Sequence, residues 1–179
     1  LWRFLGPVRD RVKAYNTDGG WLTWTVDEVI DDMHRIIDRG FDAVKMKLGR
    51  SDPQEDCDRV QAVRKAIGDD IKLMVDVNTV WDLKTAITYG QRLEEYGIEW
   101  LEEPLHPFDV QSHASLADAI RTPIAVGETV YTIYGFREYI HQQAAHVLQA
   151  DVTKLSGIEE WLDVASLCQS QGLPVIPHT

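Results

Sequence analysis

Seven ionisable side chains close short apolar runs of this sequence at nearly even spacing. Lys45 and Lys47 lie in VKMKLG, Asp76 in VDVN, Glu102 in WLEE, Glu128 in VGET, Asp151 in ADVT and His178 in the final PHT. From Asp76 onward the intervals are 26, 26, 23 and 27 residues. If each run is a strand of one sheet, three carboxylates on adjacent strands face a common mouth, and in a poorly solvated setting they repel unless a cation sits among them. An all-oxygen set without cysteine or clustered histidine favours Mg²⁺, one ion per site, with Mn²⁺ as the alternative, and Mg²⁺ keeps positions open for substrate oxygens.

The two lysines raise the opposite problem. Strand alternation puts Val44, Met46 and Leu48 on one face and Lys45 with Lys47 on the other. An ammonium beside another ammonium, partly desolvated, loses its proton more easily, so Lys47, nearest the mouth, is the candidate base, and Lys45 depresses its pKa or holds a substrate carboxylate. His178 ends one strand and Asp151 ends its neighbour, so a carboxylate can orient the imidazole. His34, His106, His113, His141 and His146 have no such company and receive no chemical role.

Apolar runs alternate with segments of helical period. Strands are expected at 12–17, 41–48, 71–78, 98–103, 122–129, 146–153 and 173–179, and helices at 25–39, 53–67, 82–96, 109–120, 134–144 and 157–171. Thr25 with Glu28 reads as a capping box, and Asp52-Pro53 as a capping carboxylate before a first-turn proline. Leu83, Ala86, Ile87, Gly90 and Leu93 form one apolar or small stripe. Strict alternation implies an α/β fold with a parallel sheet, either doubly wound or closed. No G-x-G-x-x-G turn follows an early strand, which favours a (β/α) TIM-type barrel, incomplete at seven of eight strands, with its active site at the C-terminal strand ends.

The 179 residues carry 44% hydrophobic side chains and a net charge of −11, enough for one sizeable core and the wrong sign for a nucleic-acid or anionic-membrane partner. No apolar run approaches the roughly 20 residues of a membrane span. Cys57 and Cys168, both in helix-like segments, fit a reducing compartment, and a cytoplasmic protein acting on a small molecule is expected.

VKMKLG, DVN (76–78), WLEEP (100–104), VGET (126–129), ADVTKLSG (150–157) and PHT together resemble the mandelate racemase subgroup of the enolase superfamily, in order and across nearly the whole chain. The resemblance implies a Mg²⁺-dependent enzyme that removes the proton α to a carboxylate and stabilises the enediolate, chemistry known for that superfamily. Residue by residue, it implies Asp76, Glu102 and Glu128 as metal ligands, with Glu103 pointing outward. Lys47 would be the base on one face of the substrate and His178 with Asp151 the base or acid on the other. Asn78 would sit beside the metal, and Lys154 would be a nearby cation, or the second base of a muconate-lactonizing type. It further implies a homo-oligomer, an N-terminal capping domain and a last βα unit, neither of which is found in residues 1–179. A small-molecule carboxylate is the expected partner. Three functions follow. An acid-sugar dehydratase giving a 2-keto-3-deoxy acid leads; a 2-hydroxy-acid racemase or epimerase and a catalytically silent metal-binding fragment are the alternatives. Asn16, Thr17 and Asp18 either line the pocket or form a plain turn.

Overall fold

The computed structural model describes residues 3–178. Five strands, β1 (Ala43–Lys47), β2 (Lys72–Asp76), β3 (Leu101–Glu102), β4 (Ile124–Val126) and β5 (Val147–Leu148), form one parallel sheet in sequential order. Helix α1 (Val26–Asp38) precedes the sheet, and α2 (Pro53–Ile67), α3 (Leu83–Leu93), α4 (Val110–Ala119), α5 (Thr132–His141) and α6 (Ile158–Ser170) each follow a strand. This is the βα progression of a TIM-type barrel. Among the described residues, no helix is long and apolar enough to cross a membrane.

Local chemistry explains the helix positions. Thr25 and Glu28 make the reciprocal capping box of α1, and Asp52 accepts from the Gln54 N–H ahead of Pro53 in α2. The stripe on α3 buries Ala86, Gly90 and Leu93 and packs Leu83 and Ile87 against the core, after which the chain tightens into a 3-10 turn at Glu94–Tyr96.

Two expected strands are not strands of the sheet. Segment 12–17 pairs with β1 at the isolated bridge of Asn16 with Val44, and 173–178 pairs at Val175 with Leu148 of β5 and, beyond β5, at His178 with Asp151. Pro174 carries no N–H and leaves the start of the second ladder without a donor, while Ile176 and His178 donate to the Leu148 and Ala150 carbonyls. The Asp18 N–H bonds back to Asn16 Oδ1, which turns the first segment away. The seven expected strands are therefore five, flanked by one bridged segment on each side. Thr179, the last residue of PHT, lies outside the described residues.

The sheet separates two cores. Val44, Met46, Leu48, Leu73, Val75, Leu101, Ile124, Val126 and Leu148 face the helices. Ala43, Met74, Trp100, Ala125 and Val147 fill the inner side, joined by Tyr15 and Ile176. The strand period of two thus sends Lys45 and Lys47 inward along with this second layer.

Gly127, between β4 and Glu128, holds the tightest approach of the inner layer. Its φ is +145°, and a Cβ there would fall 2.6 to 2.8 Å from backbone atoms of Gln149. Backbone cannot swing aside as a flexible side chain can. Gly127→Ala is expected to destabilise the fold by at least about 2 kcal/mol, measured by denaturant unfolding; an unchanged midpoint would show that the two segments separate freely.

Candidate active site

Parallel register builds the first row of the site. Lys47 on β1 is paired with Asp76 on β2, and Asp76 with Glu102 on β3, so three inward side chains stand side by side at the strand ends. Glu128 joins them from the turn two residues beyond β4. Carboxylate oxygens of Asp76, Glu102 and Glu128 all lie within 4.8 Å of one another. Asp76 and Glu102 are fully buried and Glu128 partly so. At that distance each pair of charges repels by about 3 kcal/mol even at an effective dielectric of 20. Three such pairs together rival the whole stability of a typical domain. Burial, with Asp76 and Glu102 close by, raises the pKa of Glu128 although His178 and Lys47 act against this. Among the described residues, this is the one acidic group able to hold a metal ion, and its hard oxygen donors fit a cation such as Mg²⁺.

The lysines answer the acids. Lys47 Nζ lies 2.5 Å from Asp76 Oδ2, Lys45 Nζ lies 3.5 Å from the same oxygen, and Lys45 also donates to Glu102 Oε1. Burial disfavours the Lys45 charge, but Glu102 and Asp76 outweigh it and its pKa is raised. Each of the two inward ammonium groups thus has a carboxylate partner on a neighbouring strand.

On the other flank, His178 bridges two carboxylates. Its Nδ1 lies 2.8 Å from Asp151 Oδ2 and its Nε2 lies 3.0 Å from Glu128 Oε2. An imidazolium donates from both nitrogens, so these contacts suit the ring form that can give up a proton. Asp151 is oriented in turn by the Thr153 N–H and hydroxyl, both 2.7 Å from Oδ1. Burial acts to raise its pKa but is overcome by the Thr153 and His178 hydrogen bonds, which bring it down to about 2.

The remaining candidates are placed less uniformly. The backbone N–H of Asn78 donates to Asp76 Oδ1 at 2.9 Å, and its φ of 47° turns the chain immediately after that acid. Lys154 is exposed, with its ammonium 5.8 Å from the centre of the Tyr131 ring, and makes no ion pair with the acids among the described residues. Thr17 lines a cavity of about 430 Å³ with Tyr15, Lys45 and His178, while Asn16 and Asp18 form the turn.

Several contributors were not apparent in the sequence. Glu102 Oε2 accepts from both Trp100 Nε1 and Gln149 Nε2 at 2.9 Å, so Oε1 is left for Lys45 and the carboxylate cannot rotate without losing a bond. Glu103 does point away from the acids, yet it is buried and not solvated: it accepts from the Thr129 hydroxyl at 2.6 Å, and burial, the largest cause, pushes it up to about 7. Its φ of 38° lets its carbonyl take the Thr79 N–H, tying the β2 and β3 ends together. The one available signal was a second acid in a strand too short to leave it in water.

A family model described as "Enolase C-terminal domain-like" matches residues 28–179. The chain belongs to this family. Enolase C-terminal domain-like relatives include the L-talarate/galactarate dehydratase of Salmonella typhimurium, 38% identical over 178 residues, covering 99% of this chain and 45% of that protein. The crystal structure of L-talarate dehydratase from Polaromonas sp. JS666, complexed with Mg and L-glucarate, superposes with a TM-score of 0.94 at 39% identity, covering 99% of this chain and 50% of the other. A racemase from Streptomyces coelicolor with bound magnesium gives 0.95 at 31% identity, covering 99% and 53%. The chain therefore spans about half the length of these relatives.

Two expectations follow from this enolase-type geometry. Gln149→Leu, which keeps volume but removes one donor from Glu102, is expected to weaken Mn²⁺ or Mg²⁺ binding about tenfold in calorimetric titration; equal affinity would show that Trp100 alone fixes the carboxylate. Because the folded-state pKa of Asp151 is depressed to about 2, its contribution to stability is full above pH 4 and is lost as pH falls through 2. Asp151→Asn should therefore melt lower than the wild type at pH 5, with the gap closing toward pH 2.

Proposed function

We propose that these residues form the working half of a metal-dependent enzyme that removes the proton α to a carboxylate, most specifically a dehydratase of sugar acids. One observation carries the reading: three buried acids converge from adjacent strands with Lys47 on one flank and His178 on the other. In this reading Asp76, Glu102 and Glu128 hold one Mg²⁺ and the substrate carboxylate shares the site. The ion, when bound, supplies positive charge to the substrate carboxylate as negative charge develops on it.

The protein's own groups move the protons. Lys47, as the neutral amine left once its proton has passed to solvent and its pairing with Asp76 has ended, takes the α-proton with the electrons of the C–H bond passing into an enediolate. Lys45 keeps a fixed positive charge beside Glu102. His178, held by Asp151, gives its Nε2 proton to the β-hydroxyl as the C–O bond breaks, so water leaves and an enol remains. Tautomerisation of that enol yields the 2-keto-3-deoxy acid. For a substrate with the opposite α-configuration, His178 begins the reaction. Delivery of the His178 proton to the α-carbon instead gives racemisation or epimerisation, and the magnesium-bound racemase among the similar structures supports that second reading.

Relatives named for talarate and galactarate, and a talarate dehydratase complexed with L-glucarate, support a polyhydroxy acid as substrate. The test is a screen of sugar acids against the full natural chain with Mg²⁺ in D₂O. A keto acid identifies dehydration; deuterium at the α-carbon without a keto acid identifies racemisation; neither product, with Mg²⁺ shown to bind, would overturn the enzyme reading. Lys47→Ala should lower turnover of the preferred substrate at least about 1,000-fold, and EDTA should abolish it reversibly.

A further inference from the structure

Behind Lys47, helix α2 buries two charges that neither the acidic group nor the proton-moving pair uses. Asp56 is fully buried and Arg59 is 3% exposed. Arg59 donates from Nη1 to the Lys47 carbonyl at 3.2 Å and from Nη2 to the Trp21 carbonyl at 3.1 Å. Asp56 Oδ2 accepts from the Gly49 and Arg50 N–H groups at 2.8 and 3.0 Å, and its other oxygen lies 3.7 Å from Arg59 Nη1. The Lys47 N–H is meanwhile held by the Gly20 carbonyl at 2.9 Å, and the Leu48 N–H by the Asp76 carbonyl at 2.7 Å. Every backbone N–H from Lys47 to Arg50, together with the Lys47 carbonyl, is therefore engaged from a defined direction.

Taking such a pair out of water costs several kcal/mol per charge, and apolar residues of equal volume often serve stability as well or better. Three of its four hydrogen bonds go to the segment from Lys47 to Arg50, and the fourth goes to the Trp21 carbonyl, next to the Gly20 carbonyl that holds the Lys47 N–H. His178 is carried by a separate segment on the other side of the acids, bridged to β5 and not to α2. The clamp is thus one-sided.

We propose that Arg59, with Asp56, is a positioning residue for Lys47, holding the end of β1 so that this amine, and not the His178 side, keeps its reach into the site. The inference rests on the proton-abstraction reading above. Its consequence is an asymmetry that a merely structural ion pair would not produce. Substrates whose α-proton faces Lys47 depend on Arg59, and substrates whose proton faces His178 do not.

The test uses the full natural chain with Mg²⁺ and the C2-epimeric aldonates galactonate and talonate, each with a single carbon α to a carboxylate, so that the two present the α-proton on opposite faces. Arg59→Met should lower kcat for one epimer by about 30- to 100-fold, the range expected for a base displaced by an ångström or less. The other epimer should stay within about threefold, KM for both should hold, and Arg59→Lys should recover part of the loss. If Arg59→Met does not fold, Arg59→Met with Asp56→Asn removes the pair without stranding a buried charge and should give the same shift in the epimer ratio. An equal fall for both epimers, or no fall for either, would overturn the positioning role while leaving the enzyme reading intact. Failure of the wild type to exchange the α-proton of either acid would instead overturn that reading, and this inference with it.

Discussion

Repulsion among Asp76, Glu102 and Glu128 is the constraint on which the site is built. Parallel register places Asp76 and Glu102 next to each other, and the turn after β4 delivers Glu128 to the same point, so the barrel cannot form without concentrating negative charge. What surrounds the acids is a set of answers to that charge. Lys45 and Lys47 bring two ammonium groups, Trp100 and Gln149 bring neutral donors, and His178 brings a ring that can donate from both nitrogens. Lys45, Lys47, Asp76 and Glu102 face inward for one reason, the two-residue period of a strand, and the remaining groups arrive from the segments just beside the strands. On β1 to β3, compensation and concentration of charge therefore come from one geometric rule.

The rule was also what made the site readable. In VKMKLG the alternation of apolar and basic side chains told which face of β1 was inward, and the polar ends of the later runs followed at one βα unit each. Helix limits were visible because Thr25, Asp52 and Pro53 act on their immediate neighbours. The strands were overextended because hydropathy does not stop where hydrogen bonding does: Gly127 and Glu128 continue an apolar run, yet the backbone has already turned at a φ of +145°. At 173–178 Pro174 removes the first donor of the ladder, a cue present in the sequence but weaker than the apolar pattern around it.

The supporting groups were hidden for a different reason. Gln149 is 47 residues from Glu102, and Arg59 reaches Trp21 across 38 residues. Neither belongs to a local periodic pattern, since each satisfies a buried atom on another element. Asp56 and Arg59 read as ordinary polar positions of an exposed helix face, and only the path of the chain above α2 buries them. A sequence announces charges that repeat along strands more readily than charges that answer one another through space.

Under the proposed function, that difference bears on how one arrangement would support two reactions, as follows from the placement of the two proton-moving groups. Lys47 and His178 stand on opposite flanks of the acids, so the configuration at the α-carbon decides which of them meets the proton. The fate of the enediolate is then decided by where the second group's proton goes: to oxygen, with loss of the β-hydroxyl, or to carbon. Both destinations are open to His178, whose ring is anchored by Asp151 at one nitrogen and faces the acids with the other. The choice must come from the placement of the β-hydroxyl relative to that nitrogen, a matter of how the polyol chain is held and not of the catalytic set. In that reading the distinction between lyase and isomerase would fall to the side chains that hold the polyol chain, while the acids, lysines and histidine would supply the chemistry common to both.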